Sequence, residues 1–341
     1  LTNVSGGGFD IGYYDENREF VRVTDTGSNS IAIARADQFG ACWHILIDAS
    51  YDGLTQARNA AASFGGAAAL INGEYRVIYG SFYSESAAND TMSLYGLHGA
   101  AYRSGAGSFG VINLNNGICL FLTDDINTAA VNALGDGALT LFQGKYYRGG
   151  FSAFPMGESL LNVINYVNIE DYVKGVIPYE MSSYWPHEAL RAQAVAARTY
   201  ALCKLSRGRP DAHPEADLCD DYRHCAAYRS PAVSVFGTDE ISAIRAAVRD
   251  TEGEILTSEG APIAAVFHCV SGPRTESAAD VWGEDVPYLQ SVVSPGGTAF
   301  DGYESAVTVS ADDFREKAGS AFPAADLSGP PSAWFKASVR S

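Results

Sequence analysis

The chain has 341 residues, 47% of them hydrophobic, a length that sets the expectation of two or three folded units rather than one small core. With 23 Lys and Arg against 40 Asp and Glu, its formal charge is −17; such a surface repels nucleic acid and anionic lipid, which argues against a polyphosphate partner. No run of about 18 apolar residues is present, which excludes a membrane-spanning helix within this chain. Leu1 is preceded by neither an initiator Met nor a basic-then-apolar leader, which points to an export signal or anchor removed from this chain and to an extracytoplasmic, secreted or anchored protein.

Residues 1–36 read as extended structure. Phe9, Ile11 and Tyr13, then Phe20, Val21 and Val23, flank the turn-forming Asp15-Glu16-Asn17, and a second turn at residues 26–30 precedes Ile31-Ala32-Ile33-Ala34. Residues 41–97 contain a short internal repeat. The strand-like Trp43-His44-Ile45-Leu46-Ile47 is followed by a helical stretch through Gln56, Ala57 and Ala60; about 32 residues later, Tyr75-Arg76-Val77-Ile78-Tyr79 leads to a second helix through Ala87 and Ala88, with Ser84 as its cap. Through Asn72-Gly73-Glu74-Tyr75-Arg76-Val77 and Gly80-Ser81-Phe82 this segment resembles the sporulation-related repeat (SPOR) module, which implies septal glycan binding. A plain ferredoxin-like module without ligand is the competing reading. From residue 104 to 170 strands return, at Val111-Ile112, Cys119-Leu120-Phe121-Leu122, Tyr146-Tyr147 and the strongly strand-like residues 160–167. The repeat segment is expected to be inserted between the first hairpin and this later sheet.

Residues 169–205 carry the chemistry. Pro178-Tyr179-Glu180-Met181 follows an amphipathic stretch, and Pro186 suits the first turn of the next helix. From Ala189 to Leu202 there is no Gly or Pro, and Leu190, Ala194, Ala197 and Ala201 form a narrow small-residue stripe for close packing. Arg198 in that run needs a carboxylate or a ligand as partner. Glu180 is the first choice, and Glu170, Asp171 and Glu188 compete for it. An ordinary structural ion pair is the plain alternative.

The match to the stage II sporulation protein D family of lytic transglycosylases is long and nearly gapless. It runs through Leu161-Asn162-Val163-Ile164-Asn165, Glu170-Asp171-Tyr172-Val173-Lys174-Gly175-Val176, residues 178–181, Trp185-Pro186 and residues 188–201. The resemblance implies a catalytic acid at Glu180. It also implies cleavage of MurNAc–GlcNAc bonds in peptidoglycan strands to 1,6-anhydroMurNAc ends during cell-wall remodelling such as sporulation, in cooperation with a peptidoglycan amidase. The chemistry requires a carboxylic acid still protonated near neutral pH, hence partly desolvated, and Ile177, Met181 and Trp185 are available as an apolar wall. A second carboxylate would make the protein a muramidase-type hydrolase. A degenerate site would leave a glycan-binding scaffold.

Four soft or borderline ligands, His213, Cys219, His224 and Cys225, fall within 13 residues, the set for a closed structural zinc site. A Cys219–Cys225 disulfide is the alternative in an oxidising exterior. Four local protein ligands argue against the open site of a zinc amidase or peptidase. Cys42, Cys119 and Cys203 sit in apolar runs and read as buried small hydrophobes.

A strand is expected over residues 263–269, followed by the second block of the family resemblance. The substrate-binding candidates are Gln193 and Arg198 with His268, Ser271, Gly272, Thr275, Glu276 and Trp282, the last of which is as well suited to a core as to a sugar face. The chain departs from the family at Cys269, Pro273 and Gly296-Gly297, and ends before the family's usual closing strands. The fold class expected is α+β: a strand-rich catalytic domain over 104–341 with an alanine-rich active-site helix, joined by residues 1–36 and a βαβα SPOR-like module over 41–97.

Overall fold

The computed structural model describes residues 1–15, 17–36, 41–105, 107–124, 129–135, 137–156, 160–228, 238–297 and 306–335. The expected turn residue Glu16 lies outside them. The chain divides into two units, Leu1–Val266 and Phe267–Ser341, each described by itself.

In chain order the strands of the first unit begin with β1 (Thr2–Asn3), β2 (Phe9–Tyr14), β3 (Phe20–Thr26), β4 (Ile31–Arg35) and β5 (Trp43–Ile47). Helix α1 (Leu54–Phe64), β6 (Ala67–Ile71), β7 (Glu74–Phe82), α2 (Glu85–Tyr95) and β8 (Gly99–Arg103) follow. Then come β9 (Phe109–Asn113), β10 (Cys119–Thr123), β11 (Ala130–Ala133), β12 (Thr140–Phe142), β13 (Lys145–Tyr147), β14 (Gly150–Met156) and β15 (Leu160–Tyr166). Three helices, α3 (Ile169–Glu180), α4 (His187–Ser206) and α5 (Thr238–Asp250), and the small pair β16 (Thr257–Ser258) and β17 (Ala261–Pro262) complete it.

The first hairpin and the later strands share one antiparallel sheet, in the order β15-β14-β11-β2-β3, and the chain between them builds a second sheet, β4-β9-β10-β6-β7-β5-β8. Here pairing departs from the sequence reading. Val111-Ile112 and Cys119-Leu122, grouped by sequence with the strands that follow them, pair instead with β4 and β6. Their burial explains this: Phe109, Val111, Phe121 and Leu122 are each at most 1% exposed, the pattern of central strands covered on both faces. Phe9, Ile11, Val23, Ile31, Val111, Phe121, Val131 and Phe151 form one core that takes residues from both sheets. Helices α1 and α2 pack on the larger sheet through Ala61 and Ala88, and the Ser84 hydroxyl accepts from the Ala87 N–H to start α2. Residues 43–103 thus run strand-helix-strand-strand-helix-strand, with the order β6-β7-β5-β8 inside a wider sheet.

Helices α3, α4 and α5 form a separate core from Val173, Val176, Ile177, Leu190, Ala194, Ala197, Ala201, Ala247 and Val248. The small stripe of α4 is what admits its neighbours: Ala194 and Ala201 are fully buried and Ala197 is 3% exposed. Asn168 caps α3 by accepting from the Glu170 N–H, and Glu170 and Asp171 in its first turn suit the positive end of the helix.

The strand expected over 263–269 does not form. Regular pairing stops at β17, and Val266 and Phe267 are 47% and 42% exposed, because no partner strand among the described residues takes up their backbone groups. Among its described residues the second unit holds α6 (Ala278–Trp282), α7 (Ala311–Ala321) and a 3-10 turn at Pro331–Ala333, with Phe314 stacked on Trp334. The whole is therefore a mixed α+β fold with several sheets and, among the described residues, seven helices.

Candidate functional site

Glu180 is the last residue of α3. Pro178 removes an N–H from the helix's final turn, and the chain leaves helical geometry at Met181 (φ −151°). Ile177 points into the helical core while Tyr179, Tyr184 and Trp185 are 40%, 82% and 43% exposed, so the acid sits where the chain turns from core to surface. Of the apolar wall expected from sequence, Ile177 and Met181 belong to the core and Trp185 to the surface. Among the described residues the Glu180 carboxyl has no hydrogen bond or ion pair. Desolvation by burial holds it above the usual carboxylate range, and its place at the carbonyl end of a helix disfavours a negative charge in the same sense.

Arg198 pairs with Glu170, not Glu180. Its Nε and Nη2 donate to the two oxygens of Glu170 at 2.9 and 2.7 Å, and Nη1 donates to the Glu254 carbonyl at 2.9 Å. At 1% exposure, with this fork closed, Arg198 has no face for a sugar; it locks α3, α4 and the chain after α5 together. The other carboxylates considered for it are used locally, Asp171 by Lys174 and Glu188 by Arg191. Gln193 lies on the same buried face of α4 at 7% exposure. Its Nε2 and the Ser183 hydroxyl find no hydrogen-bond partner among the described residues.

The other substrate-binding candidates fall in the second unit. His268, Gly272 and Glu276 are exposed and Trp282 is 62% exposed at the end of α6, an open aromatic face rather than a core tryptophan. Thr275 ties two segments: its N–H donates to the Val292 carbonyl and its hydroxyl accepts from the Val292 N–H, which aligns the 271–276 loop beside residues 290–294. The Ser271 hydroxyl donates to the Gly272 carbonyl.

The four ligand residues converge. One ligand atom from each of His213, Cys219, His224 and Cys225 lies within 4.8 Å of the others, so the cluster could hold a metal ion. The imidazoles are oriented for it. His213 Nδ1 is 2.9 Å from the Ala216 carbonyl, which leaves Nε2 facing the Cys225 sulfur at 3.6 Å. His224 Nδ1 lies 3.6 Å from Cys219 Sγ and 3.4 Å from Cys225 Sγ. All six cysteine thiols are free, Cys219 and Cys225 included. Cys119 and Cys203 are buried as expected, and Cys42 is half-buried.

Sequence reasoning missed a cavity of about 790 Å³ in the first unit, lined by β13–β15, the start of α3 and residues 213–220, and not by Glu180. Three polar residues on and after one strand, Asn162, Asn165 and Asn168, were its sequence signal.

Residues 158–258, which hold α3, α4 and the ligand cluster, match the SpoIID family model, described as stage II sporulation protein. The chain is 39% identical over 147 residues to an uncharacterized protein of Brachyspira hyodysenteriae, covering 43% of this chain and 37% of that one. It is 33% identical over 172 residues to the stage II sporulation protein D of Bacillus subtilis (49% and 50%), and 36% identical over 118 residues to the amidase enhancer of the same organism (34% and 14%). The chain thus spans half or less of the length of these relatives. Among the described residues no helix is long and apolar enough to cross a membrane.

Proposed function

We propose that the protein is a peptidoglycan lytic transglycosylase acting on glycan strands freed of stem peptides, with Glu180 as its acid and then its base. The observation that carries this reading is the state of Glu180: a carboxyl with no cation beside it among the described residues, raised by desolvation, at the surface end of a helix inside the stretch that matches the SpoIID family model. Such a group is protonated at a higher pH than an ordinary glutamate and can donate to the glycosidic oxygen as the C1–O bond breaks. The resulting carboxylate then takes the proton of the muramic acid's own 6-hydroxyl. That oxygen bonds to C1, the 1,6-anhydro ring closes, and Glu180 regains its proton without a second carboxylate or a water.

In this reading His213, Cys219, His224 and Cys225 hold zinc. An ion bonded to sulfur at about 2.3 Å and to nitrogen at about 2.0 Å, at tetrahedral angles, sets neighbouring ligands roughly 3.6 Å apart. The sulfur–nitrogen separations here are 3.4 to 3.6 Å. With four protein ligands the ion is closed to substrate and its contribution is to staple the loop. The exposed His268, Gly272, Glu276 and Trp282, with Ser271, Thr275 and Gln193, are the proposed strand contacts, and residues 41–97 the proposed SPOR-like glycan-binding module. Likeness to a protein named amidase enhancer supports an amidase as partner in cell-wall remodelling outside the cytoplasm.

The test is to incubate denuded glycan strands with the protein and with Glu180→Gln and to identify the new ends by mass spectrometry. Anhydro ends from the parent, and strand binding without cleavage by the variant, are expected. Reducing MurNAc ends would make it a hydrolase, no new ends at any pH or metal content a binding protein, and cleavage by the variant would move the acid elsewhere.

A further inference from the structure

Tyr172 on α3 carries an unspent donor in a place that solvent does not reach. The residue is 7% exposed, less than 1 Å² of its hydroxyl oxygen is accessible, and the hydroxyl has no hydrogen-bond partner among the described residues. A buried hydroxyl left unmatched is a standing cost to a fold. Tyr228, the other buried tyrosine of the helical core, does have a partner: it donates to Asn165 at 3.2 Å.

The surroundings of Tyr172 are those of the ligand loop. Its ring stacks on Tyr228, three residues past Cys225, with centres 5.2 Å apart and planes 27° apart. Leu218, which precedes Cys219, and Ala226, which follows Cys225, pack in the same core, and His213 and Cys219 share a cavity wall with Tyr172. Burial pushes the Tyr172 hydroxyl's pKa up, and Cys225, Tyr200, Cys219 and Glu180 add to the rise, in that order. Cys225 itself sits inside the cluster, its sulfur 3.6 Å from His213 Nε2 and 3.4 Å from His224 Nδ1.

A neutral thiol is a poor hydrogen-bond acceptor. Metal ligation requires a thiolate, and the ligating sulfur keeps negative charge and lone pairs beyond those given to the metal. Partners outside the ligands orient and tune such a site; His213 already has one, with Nδ1 on the Ala216 carbonyl. We propose that Tyr172 is a positioning residue for the metal loop, its hydroxyl donating to the Cys225 thiolate when zinc is bound. The proposal rests on the zinc reading of the four-ligand cluster. The hydroxyl is unmatched against a neutral thiol and matched against a thiolate, so ligation relieves a buried donor. Glu180 ends the same helix eight residues on, so the bond also fixes the loop against the element that carries the acid.

The test uses the full chain under reducing conditions, with zinc affinity measured by competition against a chromophoric chelator. Tyr172→Phe keeps the ring stack and removes one oxygen. It should bind zinc about tenfold to a hundredfold more weakly than the parent. With the metal chelated, its melting temperature should equal or exceed the parent's; with zinc bound, it should fall below, a reversal that a purely structural hydroxyl does not give. In the cobalt(II)-loaded variant the thiolate-to-metal charge-transfer band should lie at longer wavelength, because a thiolate that has lost a hydrogen bond gives up its electron more readily. Tyr200→Phe, which takes a hydroxyl from the half-buried neighbour of the same thiols on α4, should leave the affinity unchanged. Parent-like zinc affinity in Tyr172→Phe overturns the proposal and leaves the zinc reading standing. Equal losses in both tyrosine variants also overturn it, since burial beside the cluster rather than this bond would then be the cause. A parent that binds no zinc overturns both readings. A parent that cuts no strands, with the affinity loss in Tyr172→Phe intact, defeats the cleavage reading alone.

Discussion

Arg198→Ala tests the assignment of Arg198 as the lock of the helical unit. The substitution strands the Glu170 carboxylate, whose side chain is 15% exposed, with the Gly253 N–H as its one remaining donor among the described residues, and leaves the Glu254 carbonyl without its side-chain partner. Breaking a buried pair from one side costs about 3–5 kcal/mol. At roughly 2–4 °C per kcal/mol for a unit of this size, the melting temperature should fall by about 10 °C or more. Arg198→Lys keeps the charge but not the two-pronged fit to Glu170, so it should fall between Ala and the parent. The double change Arg198→Met with Glu170→Leu removes both charges and should cost less than Arg198→Ala alone. Thermal unfolding followed by helical ellipticity measures all four proteins. An Arg198→Ala protein that melts with the parent but no longer binds glycan would refute the reasoning and return Arg198 to the substrate.

Four further outcomes follow from the geometry. Because the folded protein holds the Glu180 proton more tightly than the unfolded chain, the group's contribution to stability is fully present below the unfolded pKa of about 4.3 and is lost as pH rises through the raised value; Glu180→Gln should therefore melt above the parent at about pH 8 and with it at about pH 4. Cleavage by the parent should decline through the same alkaline limb. Elemental analysis should find one zinc per chain, and a thiol reagent should modify the exposed Cys269 at once but Cys219 and Cys225 only after chelation. Gly150→Ala places a Cβ 2.0 Å from the Tyr14 hydroxyl and 2.8 Å from the Val131 carbonyl; a loss of about 1–3 kcal/mol is expected in denaturant melts, partly restored by Tyr14→Phe.

What was legible in sequence was what depends on neighbours along the chain. Pro186 before an alanine-rich run specifies α4, Ser84 specifies the start of α2, and four ligands within one loop are close wherever the loop lies. Partners across space were harder to read. Four carboxylates stood as partners for Arg198. The packing of α3 on α4 selects Glu170, because Lys174 and Arg191 engage two of the others three residues away on their own helices and Glu180 remains alone. An apolar run such as 263–267 satisfies a strand pattern, but a strand also requires a neighbour, and sequence does not display one. Nor does it display a cavity whose walls come from residues as far apart as 14 and 228.

The pairing of β2 with β11 has a consequence for the order of folding. When chain growth or release delivers residues from the N-terminus, the β2–β3 hairpin is complete about a hundred residues before its other neighbour exists. At about 5–20 residues per second that is a wait of roughly 5–20 s, far longer than the microseconds in which a hairpin itself forms. During it, the outer edge of β2 is an unsatisfied template open to any passing extended segment. All strands of the seven-stranded sheet lie within that stretch of chain, and its closure shortens the effective gap across which β11 must return. Closure of that sheet thus guards against misassembly of the sheet that supports the helical unit, and substitutions that slow it should show first as aggregation in newly made protein rather than as a lower melting point.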